Sequence, residues 1–323
     1  MQKTLSVIDL SAIRANAQKI KKLSKGSFFF AVVKADAYGH GAEEVARCIE
    51  DIVDGFCVAI IEEGTALRVA GIRKPVLVFT PPLDSYDALR AREYNLSVTV
   101  NSIKTARLCG ANSCHIKVNT GMNRTGCSIS ELPDILKALP LENIEGVYSH
   151  LYAPHDGNAC AEQFALFERA SRFVKTYKTG VCAHLSASGG ILRGGRYLCD
   201  GVRAGILLYG YSPYGFKADV KPALKVYARK VQTTDFVGGG IGYNRADRKY
   251  DKVDIYRLGY GDGFRRTVPL GEKTLCMDSF IAQSGDDLAC VFDNAEEYAQ
   301  RCGTISYEVL TSVTKRSERI YIR

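Results

Sequence analysis

Along the first two thirds of the chain, short unbroken apolar runs alternate with stretches whose apolar residues recur every three or four positions. The runs fall at 28–35, 55–60, 76–79, 96–100, 114–119, 144–150, 182–188 and 202–209. Lacking polar alternation, they predict parallel strands covered on both faces. Between most of them AEEVARCIED, EEGTALRVAG, SYDALRAREY, SIKTARLCG, SELPDILKAL and AEQFALFERASRFVKTY predict amphipathic helices. Eight strands alternating with helices over roughly 200 residues match the count and length of a (β/α)8 TIM-type barrel. An open doubly wound sheet is the alternative, but no GxGxxG follows the first strand. Ahead of the barrel, TLSVIDL predicts a short strand, and Ser11 is expected to start a helix that stops before Gly26.

The texture changes near residue 211. Helical patterning fades and longer β-like runs appear: ALKVYARKVQTTDFV, VDIYRLGYG, TLCMDSFIAQ, LACVFD and RIYIR. Gly238–Gly240 and Gly242 read as a turn between strands. Only EEYAQRC and the stretch around SYEVLTSV look helical. The expected organisation is an N-terminal strand (1–10) packing with the C-terminal domain, an α/β barrel (11–212) and a mainly β domain (213–323).

Composition narrows the function classes. The chain has 323 residues, a formal charge of +8, 46% hydrophobic and 24% charged residues. There is no Lys/Arg block with interleaved aromatics, so nucleic acid is a poor partner. KIKKLSK reads as the solvated face of a helix. No window reaches the length of a membrane span, and the N-terminus lacks a signal-peptide core. Eleven scattered cysteines without a C-x-x-C pair point to free thiols in a reducing cytoplasm. The five histidines show no zinc-type spacing, so no metal is expected.

Candidate chemistry collects at strand ends. Lys34 ends the first barrel strand, before ADAYGHG, where α/β barrels keep their reacting groups. A lysine emerging from an apolar strand is desolvated, which lowers its pKa and frees its amine for covalent chemistry with a carbonyl. A strand-end lysine that merely reaches solvent is the bland alternative. Further round the barrel come Lys117, Asn119 and Arg124, then His150, then Ser186 and Ser188 before two glycines, then Arg203 and Gly205. Ser188, the amides of Gly205 and Ile206, and Tyr38 would suit a phosphate after the last two strands. A lysine opposite a phosphate cup fits pyridoxal 5′-phosphate. An arginine facing its ring nitrogen would keep that nitrogen unprotonated.

These residues resemble the alanine racemase family, fold-type III pyridoxal-phosphate enzymes, almost end to end. The similarity is carried in order by AVVKADAYGHG, CHIKVNTGMNRTG, GVYSHL, HLSASGGILR, DGVRAGILLYG, IGYNR, LGYGDGF, CMDSF and GTISYEVL. The resemblance implies a homodimer with shared active sites that interconverts L- and D-alanine and supplies D-alanine for peptidoglycan. It implies Lys34 as the cofactor lysine and one acid–base group, with Tyr260 from the partner subunit as the other. It places Arg203 at the pyridine nitrogen and Tyr38, Ser188, Gly205, Ile206 and Tyr307 at the phosphate. Arg124 and the Met277 amide would meet the substrate carboxylate, with Lys117 carbamylated to brace Arg124. His150 would tune Tyr260 and Arg203. His184 has no role in the match and reads as a satisfied core histidine.

Two departures qualify the match. Asn119 stands where many relatives have aspartate. The stretch from the tyrosine motif to CMD is short, only FRRTVPLGEKTL, with Thr274 where an arginine lining the access channel is usual, and GDDLACVF is reduced as well. A same-family racemase acting on serine or a basic amino acid, with relaxed selectivity, is one alternative. A non-catalytic barrel that binds pyridoxal phosphate is another, although such barrels lack the β domain and its tyrosine.

Overall fold

The computed structural model describes residues 4–213, 215–246, 249–266, 274–283, 285–313 and 316–323. The chain divides into two compact units. One comprises Met1–Ala12, Tyr38–Gly41 and Lys221–Arg323; the other comprises Ile13–Ala37 and Ala42–Val220.

The chain begins with β1 (Leu5–Asp9). The helix Leu10–Leu23 follows directly. Asp9, rather than Ser11, caps it: Asp9 Oδ1 accepts the Ala12 amide at 2.9 Å and the Ser11 hydroxyl at 2.6 Å. The carboxylate is the stronger acceptor for the free amides of a first turn, so the helix starts before Ser11.

The barrel unit holds the eight expected strands. They are β2 (Phe28–Val32), β3 (Gly55–Val58), β4 (Val76–Val78), β5 (Ser97–Val100), β6 (Cys114–Lys117), β7 (Ile144–Tyr148), β8 (Cys182–Ala187) and β9 (Gly201–Ala204). All are parallel, and β2 pairs with both β3 and β9, closing the barrel. Closure removes both sheet edges and buries each strand on two faces, which is why the runs lack polar alternation.

In the other unit, β10 (Leu224–Asp235) is the central strand. Around it lie β13 (Lys252–Arg257), β14 (Thr274–Leu275), β15 (Phe280–Gln283), β16 (Leu288–Phe292) and β17 (Glu318–Ile322), after a small hairpin of β11 (Gly240–Ile241) and β12 (Asn244–Arg245). β1 lies antiparallel to β10 and parallel to β17, so both ends of the chain close one sheet. Two short helices, Ala295–Arg301 and Ser306–Ser312, precede β17.

The segment after β2 is not an ordinary loop. Ala35, Asp36, Ala37 and Tyr38 all take left-handed angles, with φ between 51° and 53°. For residues other than glycine this costs about 1–2 kcal/mol each. Side chains of the barrel unit hold the turn. Glu63 accepts the amides of Ala35 (2.6 Å) and Ala59 (2.7 Å), and Asp36 Oδ1 accepts the amide of Ala42 (2.8 Å). All eleven cysteines are free thiols. Among the described residues no helix is long and apolar enough to cross a membrane.

Candidate active site

Six of the expected residues gather at the carboxyl ends of barrel strands. Lys34 follows β2, Lys117 ends β6, His150 follows β7, Ser188 follows β8, and Arg203 with Gly205 lies on and after β9. Arg124 comes from the loop after β6 and is exposed. Its position there is set by Asn119. The Asn119 Oδ1 accepts the amides of Gly121 and Asn123, both at 3.1 Å, and its Nδ2 donates to Asn123 Oδ1 at 3.0 Å. An amide can do all of this, and an aspartate could do only the accepting part.

The centre is strongly cationic. Burial lowers the pKa of Lys34, and the nearby charge of Arg124 lowers it further, against an upward pull from Glu63. Lys117 is lowered to about 8 by burial, then by Arg124, Arg203 and Lys34. Its ammonium donates to Thr125 Oγ1 at 2.6 Å. His150 is pushed down to about 3, first by burial and then by the same cations, so it is a neutral imidazole at pH 7.

Arg203 is buried inside β9, where a charge requires partners. It finds neutral ones. Nη1 donates to His184 Nδ1 and to the His184 carbonyl, both at 2.7 Å, and Nη2 donates to the carbonyls of Ser149 (2.6 Å) and Leu185 (3.0 Å). Both terminal nitrogens are thereby occupied, which leaves Nε–H as the donor this side chain can offer a ligand. The Tyr148 ring lies between cations, with Arg203 Cζ at 5.1 Å and Lys117 Nζ at 5.4 Å from its centroid. It also stacks on His184 at 4.9 Å. The pattern of the sequence did not single out Tyr148, although it lies inside GVYSHL. His184 is satisfied, as expected of a core histidine, but its partner is the Arg203 guanidinium.

After β8 and β9, the Ser188 hydroxyl accepts the amides of Gly205 (3.2 Å) and Leu207 (3.4 Å). Ile206 lies buried between those two residues. An anion seated here would take over those two amides from the Ser188 oxygen and accept the Ser188 hydroxyl proton as well.

The remaining candidates lie in the sheet unit. The rings of Tyr38 and Tyr307 are 6.2 Å apart. Burial raises both phenols, Tyr307 to about 12, so both are neutral donors. Gly39 beside them has φ +81°, and a Cβ there would collide with the Leu310 carbonyl. Tyr260 opens a short turn after β13 and is half-buried. Its amide donates to Cys276 O at 3.0 Å, and Gly261 N–H donates to Met277 O at 2.8 Å. Tyr260 and Met277, which the sequence paired only by resemblance, are therefore neighbours on one small ladder. Residues 267–273 of the shortened FRRTVPLGEKTL segment lie outside the described residues.

Comparison with known proteins places the chain among relatives of one kind. A family model described as alanine racemase, N-terminal domain, matches residues 8–213. An alanine racemase of Carboxydothermus hydrogenoformans is 33% identical, with 100% of each chain covered. One of Sorangium cellulosum is 31% identical, with 99% of each covered. Among solved structures, an alanine racemase of Bacillus anthracis with bound L-Ala-P superposes with a TM-score of 0.88 at 28% identity, covering 100% of this chain and 96% of that one. The alignment to the Carboxydothermus relative spans 374 positions against 323 residues here, so it carries gaps. The relatives match barrel and sheet domain together over the full length, and the chain belongs to the alanine racemase family.

Proposed function

We propose that this protein is a pyridoxal 5′-phosphate-dependent racemase that interconverts L- and D-alanine by two-base proton transfer, supplying D-alanine for peptidoglycan in the cytoplasm. The observation that carries the reading is Arg203: a buried cation bonded to neutral groups, with Nε–H left for a ligand, among other cations. That donor set fits an anionic, ring-bearing cofactor. Lys34 would hold it covalently, Arg203 would donate to its ring nitrogen, and Ser188, Gly205, Ile206, Tyr38 and Tyr307 would hold its phosphate. When bound, the cofactor supplies an electron sink for charge left at the substrate α-carbon.

The chain's own residues handle the protons. Lys34 Nζ, with its pKa lowered by burial and by Arg124, removes or returns the α-proton on one face. Tyr260 of the partner subunit does so on the other face, so the substrate need not turn over. Arg124 and the Met277 amide hold the carboxylate, and the short ladder beside Tyr260 keeps Met277 in step with it. The neutral His150 adds no charge to a crowded cationic centre. The lowered Lys117 amine reacts readily with carbon dioxide, and its carbamate would brace Arg124.

Proton exchange of L- and D-alanine in heavy water, with the visible band of bound cofactor, tests this. Lys34→Ala should lose the band. Tyr260→Phe should keep the band and lose exchange that starts from L-alanine; full activity in that variant would overturn the two-base assignment. The shortened stretch before CMD favours a second reading, relaxed selectivity toward serine or basic amino acids. Equal turnover of serine or lysine and alanine would support it, and a strong alanine preference would reject it. Tyr260 packed beside Met277 argues against a non-catalytic barrel.

A further inference from the structure

Behind Arg203 runs a line of polar side chains that the racemase reading does not use. Arg203 Nη1 meets His184 Nδ1 at 2.7 Å, and His184 Nε2 meets His115 Nδ1 at 2.8 Å. His115 Nε2 then faces Glu145 Oε2 at 3.6 Å, and the Ser97 hydroxyl donates to the same oxygen at 2.5 Å. Both imidazoles are buried, while Glu145 reaches the surface.

The chemistry of the first link fixes the direction of every other. A guanidinium has no lone pair to accept with, so His184 Nδ1 must accept and the ring proton must sit on Nε2. That proton is donated to His115 Nδ1, which places the proton of His115 on Nε2, toward the carboxylate. Both rings are neutral, with one tautomer each. Burial and then the charge of Arg203 hold the His184 pKa well below its usual range. Partial burial raises the Glu145 pKa, but its neighbours His115 and Ser97 outweigh it and hold the carboxyl below its usual range.

The barrel is shaped around this line. His115 pairs in register with Gly146 and His184 with Gly201. A Cβ on Gly146 would fall on His115 Nδ1, and one on Gly201 would press on Cys182 and His184. Phe30 packs on both rings, at 6.0 Å from His115 and 5.4 Å from His184.

We propose that His184, His115 and Glu145 are positioning residues: a one-way relay that sets the Arg203 guanidinium and places its counter-charge at the barrel surface, two imidazoles away from the ligand. A carboxylate directly against Arg203 would put a negative charge beside the ligand ring. The relay compensates the buried cation and keeps that charge out of the site. The inference rests on the cofactor reading above for its consequence, but not for its geometry.

Two experiments separate the two. The first is nitrogen-15 NMR of histidine-labelled protein without added cofactor. The expected result at pH 7 is neutral Nε2–H tautomers for His115 and His184, with a coupling across the N–H···N bond between them. A charged ring or an Nδ1–H tautomer in either residue overturns the relay, whether or not the protein binds cofactor. The second is titration with pyridoxal 5′-phosphate. Glu145 is at the surface, so Glu145→Gln should fold. The expected result is cofactor affinity about three- to tenfold weaker, with recovery in Glu145→Asp. Alanine KM should stay near wild type while kcat falls. Unchanged affinity and kcat in Glu145→Gln would remove Glu145 from the relay and defeat the proposal. Wild-type protein that binds no pyridoxal 5′-phosphate would defeat the cofactor reading, while the tautomers would still decide the relay.

Discussion

At the end of β6, Lys117 is buried with Arg124, Arg203 and Lys34 near it, and its pKa falls to about 8 from 10.5. A depressed lysine burdens the folded state. Below pH 8 both folded and unfolded chains carry the proton, and the burden is present in full. Between pH 8 and 10.5 the unfolded chain still binds the proton and the folded chain has lost it, so stability rises with pH. At neutral pH the burden is on the order of 3 kcal/mol. Lys117→Met, close in volume and uncharged, should therefore raise the melting temperature at pH 7 in carbonate-free buffer. Its advantage over wild type should shrink steadily toward pH 10.5. Thermal unfolding of both proteins across that range measures it; a constant or growing advantage would show that the lysine is not desolvated. Carbon dioxide should narrow the gap at pH 8 if the amine forms a carbamate.

The left-handed turn from Lys34 to Tyr38 is the element in which conformation and chemistry meet most closely. Its backbone is strained at four residues, and Glu63 ties Ala35 to Ala59 across it. Ala35 is exposed, so Ala35→Gly removes left-handed strain without opening a cavity. Glycine also frees the unfolded chain, so the net gain should be at most about 1 kcal/mol. The same change loosens the segment that aims Lys34, and turnover should fall while melting temperature holds or rises. Glu63→Ala should do the opposite to stability, costing about 1–3 kcal/mol through the loss of two hydrogen bonds to a charged acceptor. Calorimetry with steady-state kinetics on both variants separates strain from anchoring. The barrel strands were readable because burial on two faces writes itself as unbroken apolar runs, as in Phe28–Val32. This turn was not readable, because nothing about Ala, Asp and Tyr as residue types calls for φ above zero; a distant glutamate imposes it. Lys34, Arg203 and Ser188 could be placed from their position at strand ends. The partnership of His115 and His184 could not, since 69 residues separate them and only the closed barrel brings the rings together.

At the scale of the molecule, the proposed chemistry divides between the two units of the chain. Lys34, Arg203 and Ser188 belong to the barrel unit, whereas Tyr260 and Met277 belong to the sheet unit. In the reading above, each active site joins the barrel of one subunit to Tyr260 of the partner subunit, and this makes a prediction that neither single variant can test. Lys34→Ala and Tyr260→Phe should each be inactive as pure homodimers. When the two are dissociated, mixed in equal amounts and allowed to reassociate, half of the dimers should be hybrids. In a hybrid, one site carries both substitutions and the other carries neither. Activity should therefore return to about a quarter of wild type, following from the twofold symmetry of the pair. If each site were built within one chain, every site in the mixture would carry one substitution and activity would stay at the level of the pure variants. Racemase activity followed over the course of mixing, with size measured by analytical ultracentrifugation, distinguishes the two assemblies.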